Sequence, residues 1–165
     1  MRRTRKTIFA CGFSVAVIWA ALTTAGYVMV SYHNHQLRQV LTSLDAQAVV
    51  LNEIVPFDWD AVYTFAPYLT RDEMAKIIGF KSGSLRETVN TRTVQLVFVK
   101  NATVVSSVCG YGEILGYSVG FTAWEGDYAK ITVGDHAVFA VENKEGIVRL
   151  SHISSVNGAD KNGEG

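Results

Sequence analysis

Phe57-Asp58-Trp59-Asp60-Ala61-Val62-Tyr63-Thr64-Phe65-Ala66-Pro67-Tyr68, followed by Leu69-Thr70-Arg71-Asp72-Glu73-Met74-Ala75-Lys76-Ile77-Ile78-Gly79, reads as a strand delivered into a helix. Aromatic bulk at Phe57, Trp59, Tyr63 and Phe65 gives way at Pro67-Tyr68. Thr70 and Glu73 then stand at capping-box spacing, where each side chain satisfies the other's orphan backbone donor, with Leu69 and Met74 at the staple positions. Ile77 and Ile78 continue the apolar face, and Gly79 supplies a left-handed stop.

Beyond Gly79 the pattern turns to strands. Thr93–Val99 is rich in β-branched and aromatic residues. Lys100-Asn101-Ala102 interrupts it and Thr103–Val108 resumes it, which predicts a hairpin with Asn101 at the turn. Five glycines, Gly110, Gly112, Gly116, Gly120 and Gly126, alternate with Tyr111, Tyr117, Phe121 and Trp124 and read as a long, mobile loop. Lys130–Val133 and Ala137–Val141 read as strands. Glu142–Gly146 is a turn cluster before Ile147–Ile153, a half-buried strand that carries His152 on its polar side. A polar tail, 157–165, is read as disordered.

On the N-terminal side, Ile8 to Val30 carries no charged residue, and at helical rise these residues reach about 35 Å, enough to cross a hydrocarbon core. Arg2, Arg3, Arg5 and Lys6 precede it and place the N-terminus in the cytoplasm. The alternative is secretion after signal cleavage near Thr23-Thr24-Ala25. Leu37, Leu41, Leu44, Ala48, Leu51 and Val55 recur at alternating steps of four and three, a helical stripe that either lies on its own domain or self-associates as a stalk. His33 and His35 read as polar residues at the membrane surface.

Composition excludes some classes. Of fifteen Lys and Arg, four lie before residue 7, which leaves eleven against fifteen Asp and Glu in the rest of the chain. A mildly acidic body with no basic cluster does not suit nucleic acid. Cys11 lies in the apolar run, so Cys109 is expected to be an unpaired, small buried residue. A thiol enzyme needs Cys109 beside His136 or His152, oriented by Asp135, Glu113 or Asp127. A carboxylate enzyme needs a pair from Asp58, Asp60, Glu113, Glu125 and Asp127. The histidines lack ligand spacing, so neither a metal nor a cofactor is expected.

The stretch from Phe57 to Tyr68 resembles that of a group of small bacterial exported proteins of no established activity, with Trp-Asp, Tyr-x-Phe and Pro-Tyr ahead of a short helix ending near Gly. The similarity continues through Val97-Phe98-Val99-Lys100-Asn101 and Asp135-His136-Ala137-Val138-Phe139. It implies an envelope setting and transfers no catalytic residue. Thr70–Gly79 and the Leu96–Val108 hairpin are also faintly similar to small envelope domains of the outer-membrane-assembly lipoprotein and β-lactamase-inhibitor type.

The sequence thus predicts an α+β protein with an N-terminal transmembrane helix and helical stalk, then an antiparallel sheet with one short packed helix. Its parts are a cytoplasmic basic tail (1–6), a transmembrane signal anchor (7–31), the stalk (32–55), an extracytoplasmic α+β domain (56–156) and the tail (157–165). The expected function is a non-enzymatic binding or assembly module of the bacterial envelope. It is anchored in the inner membrane through 7–31 and pairs with another envelope protein, or with itself through the stalk. Phe57, Trp59, Tyr63, Tyr68, Tyr111, Tyr117 and Trp124 are the expected contact residues. The alternatives are an immunity or inhibitor protein against a toxin or hydrolase, and a thiol- or carboxylate-dependent enzyme.

Overall fold

In the computed structural model, which describes residues 26–155, the chain begins with helix α1 (26–42). Thr42 and Ser43 end that helix by turning their hydroxyls back onto the carbonyls of Arg38 and Val40, at 2.7 and 3.0 Å. There follow strand β1 (Ala48–Val50), the single turn α2 (Leu51–Ile54), β2 (Ala61–Phe65) and helix α3 (Arg71–Ile78). The capping box at Thr70 and Glu73 is complete, and Gly79 closes α3 in the left-handed conformation.

Next come β3 (Thr93–Lys100), β4 (Thr103–Tyr111), the short helix α4 (Gly112–Leu115), β5 (Tyr117–Gly120), β6 (Trp124–Glu125) and β7 (Tyr128–Thr132). A 3₁₀ turn (Val133–Asp135) leads to the final hairpin of β8 (Ala137–Lys144) and β9 (Ile147–Ser155).

The strands make two sheets, one of five strands in the order β4-β3-β2-β7-β6 and one of four in the order β1-β8-β9-β5. Every residue of β2 is buried, because both faces of the five-stranded sheet are covered. Tyr63, Phe65, Val97 and Val99 face α3 through Met74 and Ala75, with Leu85 beside them. Val62, Leu96, Phe98 and Ile131 face the second sheet, whose Phe139, Val148 and Leu150 share one core with Leu37 and Leu41 of α1. Interior strands buried on both sides read as continuous apolar runs, which is the pattern of Ala61–Phe65 and Leu96–Val99.

Helix α1 also covers an edge. The β3–β4 ladder carries a bulge, with Phe98 opposite Ser106 and Val99 opposite Val104, so Val105 is the extra residue. The carbonyl of Val105 accepts from His33 Nδ1 at 2.8 Å. Asn34 donates to the Ser107 carbonyl at 2.9 Å, while its own oxygen accepts from the Ser107 amide at 2.9 Å and from the buried Ser106 hydroxyl at 2.7 Å. One carboxamide thus does for Ser107 what a neighbouring strand would do, and the edge is closed to pairing with another chain.

These observations correct the predicted architecture. There are two sheets in place of one, and β5 runs parallel to β9. Residues 32–55 are no continuous stalk: their apolar stripe is divided between α1, a strand and a turn, and Leu37, Leu41, Leu51 and Val55 are all spent inside the domain. Residues 1–25 lie outside the described part, and so do the expected basic tail, most of the expected span 7–31 and the tail 157–165. The last residues of that span, 26–31, open α1, and Val30 is buried against the domain. Among the described residues no helix is long and apolar enough to cross a membrane.

His33 is an edge-covering residue, and it stacks on Phe57 at 4.5 Å. The Gly110–Gly126 stretch is ordered into α4, β5 and β6. Gly116 stops α4 at φ +84°, and Gly126 turns β6 into β7 at φ +63°. His152 shares the inward face of β9 with Val148 and Leu150, and Ile153 is exposed.

Candidate functional site

Thr93 opens β3 opposite Tyr111, and Phe65 ends β2 opposite Tyr128, so one end of the five-stranded sheet gathers aromatic residues. The segment between α3 and β3 is fastened across this end. Glu87 accepts from the first amide of α3, that of Arg71, at 2.9 Å, a carboxylate placed where the helix N-terminus favours it. Gln95, buried in β3, donates to the carbonyl of Arg86 at 2.7 Å. Asn90 accepts from the Arg92 amide at 2.9 Å, the local bond of an Asx turn, and its amide lies 3.4 Å from the Tyr111 hydroxyl.

On this fastened base stands Tyr68. Pro67 starts a turn whose second central residue needs positive φ, a position normally given to Gly or Asn. Tyr68 occupies it at φ +73°, its amide donating to the Thr88 carbonyl at 2.6 Å. Tyr68 is 75% exposed; Val89, next to that carbonyl, is 72% exposed and Tyr111 41%. Arg86 and Arg92, three residues either side of Val89 in the chain, are both exposed. The result is a rim of exposed apolar side chains on a base held by directed bonds.

The seven expected contact residues therefore divide. Tyr68 and Tyr111 both border the segment between α3 and β3, Tyr68 through Thr88 and Tyr111 through Asn90. Trp124 stands on edge strand β6, half-exposed, with its indole donating to the Phe121 carbonyl at 3.0 Å. Trp59, Tyr63 and Tyr117 belong to the interior. Phe57 is half-buried between the His33 ring and Phe98. Val89 and Asn90 are rim residues that the sequence reading passed over; the one signal was an apolar residue isolated in the polar run Arg86–Arg92.

The chemistry considered from sequence is dispersed. Cys109 is free and exposed, which corrects its expected burial; its side chain shares the α3 face of the sheet with Gln95, while His152 points into the opposite core. Desolvation raises the Cys109 thiol above its ordinary pKa, and Arg86 offsets this only in part, the reverse of an activated nucleophile. His152 is held by Thr122 Oγ1 at 2.8 Å on Nδ1 and packs on Phe139.

The carboxylates mostly have structural partners. Asp60 takes Lys100 Nζ and the Asn101 amide, both at 2.8 Å, which holds its pKa below the ordinary value and ties β2 to the β3–β4 turn. Asp135 caps the 3₁₀ turn through the Thr132 amide and hydroxyl. Glu125 accepts from the Tyr128 hydroxyl at 2.6 Å, which raises the phenol's pKa. Among the described residues no three side chains form a group able to hold a metal ion.

Tyr117 is fully buried, its hydroxyl has no hydrogen-bond partner among the described residues, and burial pushes its pKa up to about 12. A buried, unpaired hydroxyl costs stability. Tyr117→Phe is therefore expected to stabilise the domain by about 1–2 kcal/mol, read as a higher denaturant midpoint at unchanged slope. A fall in the midpoint would mean that the hydroxyl has a partner.

Comparison with family models, with curated proteins and with solved structures finds no match to this chain.

Proposed function

We propose that the chain is an exported, non-enzymatic binding module of the bacterial envelope, and that it holds a partner protein on the rim formed by Tyr68, Val89 and Tyr111. The observation that carries the reading is Tyr68. A bulky residue at positive φ costs on the order of 1–2 kcal/mol relative to a relaxed backbone, and a residue that is 75% exposed recovers little of that by packing. Retaining tyrosine where glycine fits better makes sense if the ring is used between molecules, where aromatic anchors dominate contact energies. Export is supported by the basic residues ahead of the charge-free run Ile8–Val30. The raised thiol pKa and the structural engagement of Asp60, Glu125 and Asp135 favour binding over thiol or carboxylate catalysis.

Tyr68→Gly separates a contact role from a folding role. The variant is expected to match the parent in stability, or to exceed it by up to about 1 kcal/mol, since glycine relieves the backbone while loosening the unfolded chain. A photo-crosslinking residue placed at Val89 in the full chain, in the source cell, is expected to give one discrete adduct that disappears with Tyr68→Gly. The same label at Glu142, on the other sheet, is expected to give none. If Tyr68→Gly unfolds the domain, or if Val89 and Glu142 label alike, the rim is not a contact surface.

A further inference from the structure

A separate trough runs along α3, from Asp72 in its first turn into the loop after Gly79. Its larger part, about 560 Å³, is lined by Asp72, Ala75, Lys76, Gly79, Phe80 and Lys81. Phe80 and Lys81 also line a second hollow of about 310 Å³, together with Gly26, Tyr27 and Val30 of α1. The two hollows make one channel from α3 to the start of α1. Gly83 lets the Tyr27 hydroxyl lie against the loop, since a Cβ there would stand 2.6 Å from it.

Three features of this channel agree with one another. The first turns of α1 expose Tyr27, Val28, Met29 and Tyr32 to solvent. Lys76 and Lys81 stand at the mouth with Asp72 as the acid lining it, and the Lys81–Asp72 separation of 3.9 Å between well-exposed groups is a loose surface pair. The chain enters at Gly26 directly from Ile8–Ala25, a run without a charged residue. Exposed aromatic and aliphatic side chains edged by lysines, next to an apolar run of sequence, are the elements of a surface that sits in a lipid headgroup layer.

We propose that this channel and the exposed start of α1 rest on an anionic lipid bilayer, with Tyr27, Val28, Met29 and Phe80 at the boundary between headgroups and acyl chains and Lys76 and Lys81 on lipid phosphates. The rim residues Tyr68, Val89 and Tyr111 line neither hollow and stay open to a partner.

The test compares full chain reconstituted in phosphatidylcholine vesicles with full chain in vesicles that also contain phosphatidylglycerol, by hydrogen exchange of 27–32 and 79–84. Amides at 86–92 serve as the internal reference. The anionic vesicles are expected to slow exchange at 27–32 and 79–84 and leave 86–92 unchanged. Lys76→Glu with Lys81→Glu is expected to weaken that protection by about tenfold or more, with the melting curve of the domain unchanged. Equal protection in both vesicles, protection in neither, or protection that survives the double substitution would overturn the proposal. So would the same protection produced by inorganic phosphate in detergent, because the ligand would then be a soluble anion and not a membrane.

Discussion

Trp59→Ala is expected to cost about 3–5 kcal/mol, a large part of the 5–15 kcal/mol that holds an ordinary domain together. Trp59 is 4% exposed and meets Phe98 edge to face, with ring centroids 5.6 Å apart. Phe98 in turn meets Phe57 edge to face at 5.4 Å, so the indole anchors a chain of rings running from just before β2 to His33 on α1. Truncation removes the transfer energy of the largest side chain in that chain and leaves a cavity between two sheets whose backbones are fixed by their own ladders, so little collapse can fill it.

Denaturant melts of the parent, Trp59→Ala and Tyr68→Gly check the point. The midpoint should fall steeply for the first and hold or rise for the second. Near-parental stability for Trp59→Ala would mean that the ring lies outside the core and belongs with the contact residues after all. The pair of substitutions therefore sorts the aromatic run Phe57–Tyr68 into its interior and exterior members by experiment.

What the sequence displayed and what it hid follow from the range of each interaction. The capping box at Thr70 and Glu73, the Gly79 stop and the Asn101-Ala102 turn are set by neighbours within a few residues, and all are present where the residues predict them. The stripe from Leu37 to Val55 was misleading because period alone cannot say where a helix stops. Here the stop is written in hydroxyls, Thr42 and Ser43 closing on Arg38 and Val40, with no glycine or proline to mark it. The glycines after Cys109 suggest mobility by composition, whereas two of them, Gly116 and Gly126, are turn positions that only a left-handed residue fits.

His152 sits two residues from Leu150 and four from Val148, so strict alternation places it inward with them. The parallel pairing of β5 with β9 joins residues about thirty positions apart and has no local signature. At the rim, Tyr68 and Tyr111 are legible as aromatics. That Tyr68 is held at positive φ by Thr88, and that Trp59 and Tyr117 are interior, depends on contacts no local pattern records.

Leu37→Ala tests the largest departure from the predicted architecture. As one rung of an associating stalk, Leu37 would contribute through a second copy, and its loss would shift the oligomer equilibrium and make melting depend on protein concentration. In the structure Leu37 has no exposed surface and is shared among α1 and both sheets. Its truncation is accordingly expected to cost about 2–5 kcal/mol in a melt that does not change with concentration. Leu37→Met, nearly volume-conserving, should cost less than about 1.5 kcal/mol.

A second consequence separates this role from any other buried leucine. Asn34 lies one helical turn before Leu37 on the same side of α1, and its carboxamide closes the β4 edge at Ser106 and Ser107. Loosening α1 at Leu37 should therefore speed hydrogen exchange of the Ser107 amide ahead of global unfolding, while amides of β8, on the far sheet, exchange only with the whole domain. Concentration-dependent melting would restore the stalk. A cost under about 1 kcal/mol would mean that α1 is not part of the core, and with it would go the account of how the β4 edge is kept from pairing with another chain.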